Sequence, residues 1–343
     1  MILFYFLCVI FIISPFFPLT NNPHWFFRTP DFIRLQSLVV AITLLILLFV
    51  FNSNPNTFQW ILVIGLLIVI PYQFEKVYQY SSLFKRRKSS LPKTKISLLA
   101  ANVLQDNTQY EKFLAIIKKY NPDLVLGMET NKAWENSIST IEEKYPYTVK
   151  IPLENYYGMH LYSKKKLFNV SKKYQIEEDV PSIFCEVEIE KGKNILLICL
   201  HPAPPSPTEN DTSIERDAEL MLTGKLIRKQ ELPTVVCGDM NDVVWSRPTR
   251  LFKKMTGMKD PRVGRGFFPT YHAKYWFMRF PLDHLFHTKD LIVGKMERTR
   301  YFGSDHFGMY YEIHIKNTPE TPKNPYLKQD EKEEINELIE RSE

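Results

Sequence analysis

Apolar positions along this chain fall into two regimes. Through residues 1–74 they run almost unbroken, and beyond residue 95 they come in short runs separated by polar stretches. Three runs of the first regime, residues 2–19, 35–51 and 58–72, carry no charge and approach the roughly 17–25 residues that cross a bilayer. A cleaved leader fits the first run poorly, because no Lys or Arg precedes it and no small-x-small site follows. The third is short, which leaves a re-entrant segment open, although Trp60 and Tyr72 suit its two interfaces. In the second regime, residues 96–101, 123–128, 158–162, 183–189, 195–200, 234–237, 282–287 and 308–315 have the length and bounding residues of buried strands. Residues 110–120 place Phe113, Ile116 and Ile117 on one helical face and stop at Asn121-Pro122. A second helix is expected over 213–229, with Thr212 and Glu215 as a capping box. From residue 318 the chain is Pro-spaced and then strongly charged, as in an exposed terminal helix. Strands outnumber the interspersed helices, so the second regime predicts a layered α/β fold.

Charge sharpens this division. Residues 1–74 contain only Arg28, Asp31 and Arg34 as charged side chains, a distribution no water-soluble domain shows. Residues 75–95 hold seven basic side chains against Glu75, residues 96–316 are net +3, and residues 317–343 are net −4. The expected units are a membrane anchor over 1–74 with about three transmembrane helices, a basic juxtamembrane linker over 75–95, a catalytic-type domain over 96–316 and a charged tail over 317–343. Basic residues flank the first loop (Arg28, Arg34) and follow the third span (Lys76, Lys85, Arg86, Arg87, Lys88). The positive-inside rule then predicts an integral membrane protein with a cytoplasmic soluble domain. The linker would also lie well on anionic lipid. The nearly neutral domain argues against general binding of nucleic acid through a polycationic surface, though not against a local basic cleft.

Several chemistries are absent. There is no GxxxxGK, GxGxxG, HExxH or GxSxG, which removes the usual nucleotide-binding, zinc-protease and serine-hydrolase readings. Cys8, Cys185, Cys199 and Cys237 form no CxxC and sit in apolar runs, as buried thiols do. What stands out is polar residues at the ends of apolar strands. Asn102 follows ISLLAA, Glu129 ends DLVLGM, His201 ends ILLICL, and Asp239 and Asn241 follow TVVCG. Asp283 interrupts FPLDHLF, and Asp305-His306 precede the final strand. Each alone has a bland reading as a cap or turn residue. Together, at strand ends of a layered α/β fold, they converge on one rim where ligands commonly sit, and carboxylates there are costly unless paired or metal-bound.

This series, with YGMHLYS, HPAPP, GDMN, LDHLF and GSDHFGM in that order, resembles the endonuclease/exonuclease/phosphatase superfamily, the fold of pancreatic deoxyribonuclease-like enzymes. The resemblance runs from about Ile96 to Ile315. It implies a four-layer α/β sandwich of two mainly antiparallel sheets flanked by helices, and a metal-dependent hydrolase of phosphoester bonds. There are departures. Met128 stands where Gln usually precedes the first glutamate, HPAPPSP is unlike the longer loops of abasic-site nucleases, and the Trp-flanked signature of inositol-phosphate 5-phosphatases is missing around Asp283. The pattern is nearer to a bacterial membrane-anchored branch.

The resemblance implies roles. Glu129, with Asn102 and Asp305, would hold Mg²⁺ or Mn²⁺, whose hard-oxygen preference this set suits. Asp239 would orient and deprotonate water, Asn241 would fix the water or a phosphate oxygen, and protonated His306, oriented by Asp283, would hold a non-bridging oxygen. His201 would serve the leaving oxygen. Trp245, Lys274, Trp276 and Arg279 are candidates for lining the substrate cleft, by stacking and phosphate contacts. The leading expectation is nuclease-type phosphodiester cleavage of nucleic acid. The alternatives are a phosphatase or phospholipid headgroup phosphodiesterase at the membrane surface, and a non-catalytic tethered binding module. Membrane lipids are expected partners of the N-terminal helices and basic linker; no protein partner is inferred.

Overall fold

The computed structural model describes residues 1–51, 54–85, 90–316 and 324–342. Arg86, Arg87 and Lys88 of the basic linker, and residues 317–323 of the tail, lie outside them. The chain opens with α1 (Ile2–Ile13), which tightens into a 3-10 helix over Ser14–Thr20 at Pro15 and Pro18. A short α2 (Trp25–Phe32) follows, then α3 (Arg34–Phe51) and α4 (Thr57–Tyr78). Helices α1, α3 and α4 pack together around Cys8, Ala41, Leu48 and Leu66. The first with its 3-10 extension, the second and the third are long and apolar enough to cross a membrane. A capping box of Asn56 and Gln59 starts α4, which then runs 22 residues straight through Pro71. The third apolar run is therefore one continuous helix, longer than its hydropathy suggested, because Gln73, Glu75 and Lys76 extend it as an amphipathic end.

The remaining elements mix strands and helices. In order they are β1 (Lys95–Asn102), α5 (Tyr110–Tyr120), β2 (Leu124–Met128), α6 (Lys132–Ile138), β3 (Tyr147–Ile151) and β4 (Met159–Ser163). Next come β5 (Leu167–Lys173), β6 (Ser182–Glu190), β7 (Lys193–Leu200), α7 (Ile214–Ile227), β8 (Thr234–Asp239) and α8 (Arg247–Thr256). The chain closes with β9 (Asp283–His287), β10 (Leu291–Arg298), β11 (Met309–Ile315) and α9 (Gln329–Glu340). One sheet has six strands in the order β10-β11-β1-β2-β4-β3, the other five in the order β5-β6-β7-β8-β9. Only β1 with β2 and β7 with β8 pair in parallel; every other neighbouring pair is antiparallel.

Alternation of side chains across each strand builds the layers. Leu98, Leu126 and Leu161 of one sheet meet Cys185, Leu197, Cys237 and Leu285 of the other in the central core. On the outer face of the first sheet, Leu99 and Val125 pack under Phe113, Ile117 and Trp134 of α5 and α6. On the outer face of the second, Ile198, Val236 and Phe286 pack under Met221, Phe252, Ile335 and Ile339 of α7, α8 and α9. The architecture is the four-layer sandwich the sequence implied. All four cysteines are buried and free.

Some local expectations need correcting. Strands β3, β5 and β10 carry no uniform apolar run because they are edge strands with partly exposed positions, unlike the edge strand β9, which is buried along its length. The N-cap of α7 is Ser213, not Thr212, and makes no capping bond. Its hydroxyl instead donates to Asp217 Oδ2 at 2.8 Å. Helix α9 is not merely exposed: Ile335 and Ile339 are buried, and Glu334 pairs with Arg247.

Candidate active site

Two parallel strand pairs set the site. Their C-terminal ends carry Asn102 and Glu129 on one sheet, and His201 and Asp239 on the other. Asp283 begins β9, antiparallel to β8 and opposite Asp239 in register, so it reaches the same rim. Asp305 and His306 precede β11, antiparallel to β1, and arrive there too. A strand start and a strand end are equivalent once direction alternates. Close approach of β7 to β8 depends on Gly238, where φ is +146° and a Cβ would sit 1.9 Å from the Leu200 carbonyl oxygen. Glu129 and Asn241 are themselves held at positive φ, +58° and +48°, a strained conformation that clusters at functional sites.

The side chains interlock. Asn102 Nδ2 donates to Glu129 Oε1 at 2.6 Å and to Asp239 Oδ2 at 3.2 Å. His306 Nδ1 lies 2.8 Å from Asp283 Oδ2, and its Nε2 lies 3.4 Å from Asp239 Oδ2. Burial alone would pull the His306 imidazole down, but the carboxylates of Asp239 and Asp283 outweigh it and push its pKa up to about 10. His306 is an imidazolium at neutral pH. Burial pushes Asp239 up, yet His306 and then His201 more than reverse this and hold it below the usual carboxylate range. Asp239 is thus a carboxylate. Burial pulls His201 down to about 4 against the opposing pull of Asp239, so that ring is neutral. Its Nδ1 has no hydrogen-bond partner.

Glu129 differs from these. Burial, reinforced by Asp305 and Asp239, outweighs the Asn102 hydrogen bond and His306 and raises it to about 7. Glu129 and Asp305 line the same cleft, of about 300 Å³, with Asn102, His201, Asp239, Asn241 and His306. Two hard carboxylates, one destabilised by burial, fit a divalent cation with oxygen preference. Asp239, Asp283 and His306 also converge within 4.8 Å. A protonated His306 has no lone pair to offer, so hydrogen bonding rather than ligation accounts for that cluster. Asn102 presents its nitrogen to Glu129, while its Oδ1 accepts from Leu104 N at 3.0 Å. In this arrangement it positions Glu129. The Asn241 amide similarly donates to the Pro202 carbonyl at 2.9 Å, tying the His201 loop down rather than pointing at a substrate oxygen.

The candidates for substrate contact fare unevenly. Trp245 is buried, stacks among Tyr80 and Phe267, and donates Nε1 to the Asp31 carbonyl at 2.8 Å. It is a core residue holding α2 and does not line the cleft. Lys274 and Trp276 are exposed beside the cleft, and Arg279 donates to the Ala273 carbonyl and stacks over Phe307. The cleft wall is instead Phe32, Tyr156, Tyr157, Glu209, Tyr271 and Phe280. Tyr271 packs on His306 at 4.9 Å. Phe32, from outside the resembling segment, had no local signal at all.

A family model described as "Endonuclease/Exonuclease/phosphatase family" matches residues 98–306. The chain belongs to this family. As a member of the endonuclease/exonuclease/phosphatase family it is a hydrolase of phosphoester bonds. No curated protein matches it. Among solved structures it is similar to D. rerio TDP2 complexed with single-strand DNA product, at TM-score 0.56 and 15% identity over 65% of this chain and 100% of that one. The catalytic domain of human Nocturnin with bound sulfate superposes at TM-score 0.53 and 15% identity, over 66% of this chain and 97% of that one. A family member from Bacteroides vulgatus gives TM-score 0.52 and 18% identity, over 65% and 100%. These likenesses establish the shared fold.

Proposed function

We propose that this chain is a membrane-anchored, divalent-metal-dependent phosphodiesterase. The observation that carries this is His306, held between Asp239 and Asp283 in the cleft that also holds Glu129 and Asp305. Glu129 and Asp305 would hold Mg²⁺ or Mn²⁺. Bound there, the ion would neutralise phosphate charge and polarise the phosphorus–oxygen bond. A non-bridging oxygen would accept a hydrogen bond from His306 Nε2–H, which stays on the ring, leaving Asp239 Oδ2 to accept a proton from water. Asp283, on Nδ1, would keep the ring oriented and charged. The neutral His201 would donate a hydrogen bond to the leaving oxygen.

Helices α1, α3 and α4 would cross the membrane. The segment between α1 and α3 packs on the hydrolase, since Trp25 N donates to the Asp211 carbonyl at 2.9 Å and Ser213 N to that of Pro23 at 2.9 Å. Both would therefore share one side, and the basic residues around Lys76 and Lys85 favour the cytoplasm for it. Arg28 and Arg34 are less free as topology signals than they looked, being buried in ion pairs with Asp217 and Asp31. The catalytic unit would extend past residue 316 to include α9.

The test uses the full chain, purified in nanodiscs, on bis(p-nitrophenyl) phosphate with Mg²⁺ or Mn²⁺. Asp239→Asn and His306→Gln should each lower kcat by about 10²-fold or more. Chelation should abolish turnover, and Mg²⁺ or Mn²⁺ should restore it better than Zn²⁺. Glu129→Gln should raise the half-saturating metal concentration. Equal turnover in wild type and both catalytic variants, or full activity in chelator, would refute the proposal.

A further inference from the structure

Residues Tyr275, Trp276, Phe277 and Met278 form a run of four consecutive exposed apolar side chains, with Trp276 79% exposed. Among the described residues of 90–316, the other large exposed apolar side chains stand singly, which is ordinary for a soluble surface. A contiguous run is not. Its position is specific. Gln36, in the first turn of α3, donates its amide to the Phe277 carbonyl at 3.1 Å and to the Arg279 carbonyl at 3.5 Å. The uncharged stretch of α3 begins immediately after Arg34. The tip of this loop is thus fastened at the level where that helix turns from polar to apolar.

The base of the same loop belongs to the active site. Tyr271 packs on His306, and Ala273 N donates to the Asp305 carbonyl at 2.6 Å. Between tip and base the wall is apolar: Phe32 of α2 meets Phe280 edge-on at 6.2 Å, and both line the cleft with Leu282. The cleft lining holds no Lys or Arg among the described residues. A polyanion would find nothing there to neutralise its successive phosphates, on which nucleic-acid affinity rests. A single phosphoester with an apolar tail is a better match for two histidines, a cation site and an aromatic wall.

Resting on the phosphodiesterase reading above, we infer that Tyr275–Met278 inserts into the bilayer that α3 crosses, and that the cleft takes the phosphoester of a membrane lipid. Trp276 and Tyr275 are side chains that favour the headgroup level, and Phe277 and Met278 supply apolar depth. Lys274, exposed beside them, is placed for anionic headgroups. The lipid's headgroup would enter past Phe32 while its acyl chains stay in the membrane.

The experiment uses the full chain in nanodiscs of phosphatidylglycerol and phosphatidylcholine. An environment-sensitive NBD label on Trp276→Cys reports insertion directly, the four native cysteines being buried. Blue-shifted emission quenched by nitroxide lipids is expected; emission typical of water would overturn insertion. In parallel, hydrolysis of the nanodisc phospholipids, of bis(p-nitrophenyl) phosphate and of single-stranded DNA is followed for wild type and for the Tyr275→Ser, Phe277→Ser double variant. Wild type should hydrolyse lipid, and the double variant should lose about tenfold or more on lipid while keeping its rate on the soluble diester. Equal loss on both substrates, no loss on either, or wild type that cleaves the soluble diester and DNA but no lipid would overturn the assignment. Inactivity on all three would instead refute the phosphodiesterase reading, with the label still deciding insertion.

Discussion

Burial sets the behaviour of ionisable groups that lack a charged partner, and outside the cleft Glu219 shows it most plainly. It sits on α7, 3% exposed, with Ser182 donating to its carboxylate and Gln175 Nε2 3.5 Å away. No cation balances it in that pair of contacts, and burial raises it from 4.5 to about 7. The sign follows from proton binding. Between 4.5 and about 7 the folded state holds a proton that the unfolded state has released, so stability falls as pH rises through that window. A shift of this size corresponds to about 3 kcal/mol. Glu219→Gln, isosteric and neutral, should therefore raise the melting temperature at pH 8 and change it little at pH 4.5. Melting curves at both values check this; an equal shift at both would mean that packing, not ionisation, is the cause. His306 is the opposite case: two carboxylates outweigh burial, so its charge persists to about pH 10.

At the scale of elements, α2 connects the apolar helices to the catalytic loops. Arg28 donates to Asp217 Oδ2 at 2.6 Å, Asp217 Oδ1 accepts from Arg216 Nη2 at 2.8 Å, and Arg216 Nη1 donates to the Asn241 carbonyl at 2.8 Å. Four residues thus join a helix beside the long apolar helices to the loop after β8. Removing one partner from a buried pair costs about 3–5 kcal/mol, because the other charge is left buried. Asp217 would keep Arg216 and Ser213, so Arg28→Met should fall near the lower end, about 3 kcal/mol. Thermal or denaturant unfolding in detergent measures it. A change below about 0.5 kcal/mol, the usual surface value, would show that α2 is not held by this pair. The same helix explains why Trp245, placed by its sequence near candidate substrate residues, is buried: its indole N–H is consumed by the Asp31 carbonyl.

For the whole molecule, these contacts mean that the hydrolase is not complete without its N-terminal helices. Tyr80, just beyond α4, is fully buried, donates to the Val244 carbonyl at 3.3 Å and accepts from Lys253 Nζ at 2.9 Å. A fragment beginning at Lys93 would lose Tyr80, uncover Trp245 and strip Phe32 from the cleft wall. Deleting one such aromatic costs about 3–5 kcal/mol, so the fragment should melt well below the full chain and turn over phosphodiesters more slowly under the same metal conditions. Matching stability and kcat/KM in the two proteins would show that the N-terminal helices serve only as a tether.

The order of apolar runs determined the three long helices, eight of the strands, helix α5 to the residue, and the polar residues at strand ends. These are legible because a strand buried along its length, or a long uniformly apolar helix, leaves a continuous local signature. Strands β3, β5 and β10 left none, since these edge strands are partly solvated, whereas the edge strand β9 is buried. Helix α2 and the packing of α9 depend on partners far away in sequence. Sequence pattern says that Asp239, Asp283 and His306 share a rim; only the antiparallel turn of β9 against β8 puts two carboxylates on one imidazole and makes it a cation. It likewise says that Tyr275–Met278 are apolar, but that they stand exposed and fastened to the first turn of α3 was decided by the fold, because a side chain's surroundings are set by which elements meet and not by its neighbours along the chain.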